Sequence, residues 1–126
     1  EHAPVTLQIS PHAIATRHWP QGRPGPLQLE RAIDDVENAI EQAGLTHGDR
    51  GVLRGSEDLG ALLHPALYPA GITSREAVEA AFSRLVAAAS GGAGHQAEAS
   101  GESAAALLMV RELMHHLGFQ ALRTGG

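Results

Sequence analysis

Eight histidines among 126 residues raise metal binding before any other chemistry. Glu112 and His115 stand at i and i+3 in a helical stretch, with His116 directly after. Di-iron helical bundles supply that pair twice and add two glutamates from other helices. Here it occurs once. The expectation is therefore structural: His115 and His116 fill the last turn of a helix, where positive charge is favoured and side chains reach free carbonyls. No cofactor is implied.

A second group lies nearer the start, where Arg17, His18, Trp19 and Arg23 follow one another with no acidic residue between His2 and Leu29. Such an end could hold a carboxylate or phosphate, with Trp19 as an apolar platform. The competing expectation is that Arg17 and Arg23 pair with acidic residues of the chain's own first long helix or of a neighbour, contributing little if exposed. His47 and Asp49 form the best-placed acid-base pair for catalysis, although two polar residues in one turn usually mark only a turn. The chain has no GxSxG elbow, no GxxxxGK[ST] phosphate loop and no GxGxxG. Arg54-Gly55-Ser56 precedes a helix start, but Glu57 and Asp58 already sit where an anion would dock. Asp34 and Asp35 are adjacent and diverge on a helix, so no carboxylate pair stands out.

The element that must organise these residues is Pro26 to Leu45. Leu29, Ile33, Val36, Ile40 and Ala43 recur at helical spacing, with Glu30, Asp34, Asp35, Glu37, Asn38 and Glu41 elsewhere on the cylinder. Gly44 is placed to end the helix in a left-handed turn, with Leu45 folding back on Ile40. Before it, Val5, Leu7 and Ile9 alternate with polar residues as a strand does, and Ala13 to Trp19 is expected as its hairpin partner across Ser10-Pro11-His12. Pro20 to Pro26 holds three prolines and two glycines and is a stiff connector.

Further on, Gly51 to Arg54 reads as a short strand. Ser56 caps a short helix from Glu57 to Leu63 that His64-Pro65 ends. Thr73-Ser-Arg-Glu76 has the form of a capping box before the apolar face Val78, Ala81, Phe82, Leu85 and Ala89. Residues 90–101 lack apolar anchors and are expected to form a mobile loop. Glu102 to Leu117 is apolar on more than one face, so it is either central or buried partly by another subunit. Phe119 to Thr124 is a final strand. The expected fold is a single α+β two-layer domain over residues 1–126, with an N-terminal hairpin, a short central strand and a C-terminal strand on three long helices and one short helix. An all-helical bundle with frayed ends is the alternative.

Composition narrows function only by exclusion. The net charge is −5 and every one of the nine cations is arginine, so phosphate repulsion argues against nucleic acid. The missing lysine fits a GC-rich, bacterial-like coding bias. Without cysteine there is neither a disulfide framework nor a thiolate site. No apolar run nears the roughly 20 residues of a membrane span. A cytoplasmic location is expected, with secretion left open by a first residue that is Glu and not Met. The leading expectation is a non-catalytic binding or accessory module that self-associates as a dimer or docks a protein partner, because four aromatic residues are few to cover so apolar a last helix. The rival is a small enzyme or ligand-binding protein with an anionic site near Arg17, His18 and Arg23.

Overall fold

A computed structural model describes residues 9–67, 72–91 and 101–124. Five helices and a three-stranded sheet make a mostly helical α+β fold in the order α1 (Pro11–His18), α2 (Pro26–Gln42), β1 (Gly51–Gly55), α3 (Glu57–Leu67), β2 (Ile72–Ser74), α4 (Arg75–Ala89), α5 (Gly101–Leu117) and β3 (Phe119–Thr124).

The first departure from expectation is at α1. Ala13 to Trp19 is not a strand of a hairpin but most of a helix. Ser10 caps it, its Oγ accepting from Ala13 N at 3.1 Å, and Pro11 occupies the first turn, where a missing N–H costs nothing. Ile14, Ala15 and Trp19 are buried on one side, a spacing only a helix gives. The expected partner strand lies outside the described residues except for Ile9.

α2 forms where the periodicity placed it. Gln28 reaches back to accept from Gly25 N at 2.9 Å, and Leu29, Val36 and Ile40 are buried. At its end Gly44 takes φ +74°, Gly44 N donates to Glu41 O and Leu45 N to Ile40 O, the double bond of a glycine stop. Two helix limits shift. Ser74, not Thr73, caps α4 by accepting from Ala77 N at 3.1 Å, because Ile72 to Ser74 is drawn into the sheet as β2. α3 is capped by Ser56 as expected but runs past Pro65 to Leu67, whose side chain joins the core. Apolar packing there outweighs the one backbone bond a proline removes.

The sheet order is β1-β3-β2, with β1 parallel and β2 antiparallel to β3. Leu53, Leu122 and Thr73 lie side by side across it, and Leu122 is wholly buried under helices α3, α4 and α5. The next row, Arg54, Arg123 and Ile72, points the other way.

α5 is the hub. It packs against α1, α2, α3, α4 and β3, and Ala104 to Leu108 are all fully buried. Most of its apolar residues are thus covered within one chain, with Met109 and Leu113 half-buried.

Candidate functional site

One charged side chain among the described residues is fully buried, and it is Glu112 on α5. Its surroundings explain how it stays there. Arg111 Nη1 donates to Glu112 Oε2 at 2.6 Å and its Nε to Glu79 of α4 at 3.2 Å, while the guanidinium lies 5.0 Å over the Phe82 ring. Burial works against the Arg111 charge, but Glu112 and then Glu79 outweigh it and hold the group above its ordinary pKa. The other carboxylate oxygen, Oε1, lies 3.1 Å from His116 Nε2, one helical turn on. That same nitrogen is 3.0 Å from Glu37 Oε2, reached from α2. One imidazole nitrogen thus faces two carboxylates from two helices.

Of the three residues singled out for metal chemistry, the structure brings Glu112 and His116 together and leaves His115 exposed, its ring edge-on to His116 at 5.2 Å. A spacing of i+4 rather than i+3 aligns donors here. Glu37 was not singled out. The only trace it leaves in the sequence is its position four residues after Ile33 and three before Ile40, at the rim of the apolar stripe and so beside whatever α2 packs on.

At the other group, Arg17 Nη1 and His18 Nε2 both donate to Asp35 Oδ2, at 3.2 and 2.5 Å. Burial raises the Asp35 pKa, yet the hydrogen bonds and charges of His18 and Arg17 prevail and hold it below the usual carboxylate range. A groove of about 260 Å³ between α1 and α2 is lined by Arg17 and Asp35, but an anion there would have to displace Asp35. Trp19 is no platform: it is buried, and its indole N–H donates to Gly101 O at 2.8 Å. Arg23 is exposed in the connector and lines neither this groove nor the one beside Trp19. His47 and Asp49 are exposed in the loop before β1, with no hydrogen bond between them.

A third feature was missed altogether. The outer row of the sheet sets Arg54 directly beside Arg123, both exposed, flanked by Ile72 at 61% and Val52 at 38% exposure. Among the described residues neither arginine has an acidic partner. The missed signal was β2, because three residues, Ile72 to Ser74, are too few to show alternation. No helix among the described residues is long and apolar enough to cross a membrane. No known family, curated protein or solved structure matches the chain, so its chemistry rests on this geometry.

Proposed function

We propose that the protein is a non-catalytic binding module that docks another protein on the outer face of its sheet, through an apolar contact rimmed by carboxylates. The observation that supports this is the pairing of Arg54 with Arg123 on adjacent strands beside exposed Ile72 and Val52. Like charges directly opposite each other weaken a sheet. The chain carries acidic residues in plenty, with a net charge of −5, yet places none against these two guanidiniums among the described residues. An acidic partner relieves that repulsion and covers the apolar side chains in one step. A second copy fits less well, since a two-fold contact across this face sets the arginines of one copy against those of the other.

The test takes the partner recovered with the wild-type chain, purifies it, and measures binding by titration. Arg54→Glu and Arg123→Glu are expected to weaken it by about tenfold or more, with a steep loss on raising salt. Ile72→Ser weakens it without changing the salt slope, and Val86→Ser, exposed on α4, leaves it alone. Binding indifferent to all three face substitutions overturns the proposal. So does light scattering that shows a dimer broken by the same changes, because the occupant is then a second copy.

A further inference from the structure

The geometry points to a divalent transition-metal site formed by Glu37, Glu112 and His116, with water completing the coordination. The donor atoms of the three residues all lie within 4.8 Å of one another. An ion held at about 2.0–2.2 Å by nitrogen and oxygen donors sets neighbouring donors roughly 3.0–3.4 Å apart, for angles between square and tetrahedral. His116 Nε2 stands 3.0 Å from Glu37 Oε2 and 3.1 Å from Glu112 Oε1, so both imidazole-carboxylate edges of the triangle already have that length. The carboxylate-carboxylate edge closes by movement of Glu37, whose side chain is 42% exposed.

A hydrogen-bonding account covers these contacts less completely. One N–H of His116 is shared between the two carboxylates as a three-centre bond, at 3.0 and 3.1 Å, where an ion would give each carboxylate its own bond. Charge argues the same way. The carboxylates of Glu37, Glu79 and Glu112 gather around the guanidinium of Arg111 and the imidazole of His116, an excess of carboxylates that a dication offsets. Arg111 takes the role of an outer support. It holds Glu112 Oε2 at 2.6 Å and so turns Oε1 toward the imidazole, as hydrogen-bonded carboxylates do around bound metals. The wholly buried Glu112 forms the floor, while half-exposed Glu37 and His116 leave an opening for the ion and for water. One imidazole with two carboxylates is a borderline donor set, which favours Zn²⁺ or Co²⁺ over Mg²⁺ and Ca²⁺.

Isothermal titration of the untagged full chain with Zn²⁺ is expected to show one site per chain and a rise in melting temperature. Co²⁺ is expected to add a visible absorption band. Glu37→Gln and His116→Gln each weaken Zn²⁺ binding by about tenfold or more and abolish the rise. His115→Gln changes neither. Glu112 is left in place, because its removal disturbs the pair with Arg111, and circular dichroism verifies that each variant is folded. Absence of binding at millimolar Zn²⁺ overturns the inference, as does binding that the Glu37 and His116 variants leave unchanged, or Mg²⁺ binding as tight as Zn²⁺.

Discussion

Asp35 shows how a single carboxyl can carry a pH dependence. Its pKa in the folded chain is held below the ordinary value, because His18 and Arg17 favour its charge more than burial penalises it. The stabilisation is fully present above the unfolded carboxyl's pKa of about 3.9 and is lost as pH falls through the lower folded value. Arg17 is 71% exposed and adds little, so the bond to His18 dominates and is worth about 1 kcal/mol. Asp35→Asn is expected to cost that amount at pH 7 and to flatten the loss of stability below pH ~4, as measured by urea unfolding across pH. Gly118 carries a different constraint. It takes φ +85°, and a Cβ built there falls 1.7 Å from Gly48 O, where the loop before β1 crosses the end of α5. Gly118→Ala is expected to cost at least about 2 kcal/mol in the same assay, because the left-handed backbone and the clash add.

At the scale of elements, caps decide where helices begin. Ser74→Ala is expected to destabilise by about 1 kcal/mol, with Ser74→Asp close to neutral, since the residue accepts from Ala77 N while Thr73 is held in the sheet. Thermal unfolding of the two variants checks this. The same physics separates what was legible in the sequence from what was not. α2 and α4 announced themselves because caps, periodicity and stop signals agreed over enough residues, α5 by its length and apolar content, and β1 and β3 only as short stretches bounded by glycine and helix signals. α1 did not, because Ser10-Pro11 serves equally as a bend and as a helix start, and the alternation from Val5 to Ile9 tipped the reading toward a strand. Its helical face, Ile14, Ala15, His18 and Trp19, fills only two turns. Within the proposed metal cluster, the sequence pairs Glu112 with His115 at i+3, whereas in the structure the contact is made by His116 at i+4. Glu37 was not legible, since nothing in a sequence tells which of several carboxylates on α2 faces α5.

For the whole molecule, α5 ties one core together, so its packing sets the cooperativity of unfolding. Leu107 is fully buried, and Leu107→Ala is expected to cost about 2–5 kcal/mol. Trp19, the single tryptophan, sits between α1 and the start of α5, while far-UV circular dichroism reports all helices. The two signals are expected to give one common midpoint in both wild type and variant. Separate midpoints would mean that α1 and α2 open without α4.

The latch between Trp19 and Gly101 has a bearing on how the protein is made. Gly101 N also donates to Gly22 O, so an early connector is fastened to a residue that leaves the ribosome some eighty positions afterwards. Until that segment emerges, the greasy sides of α1, α2 and α4 have no common seam to close upon. Nascent chains stalled before α5 would therefore expose them to chaperones and proteases, and this fold would gain its protection all at once when α5 emerges rather than step by step.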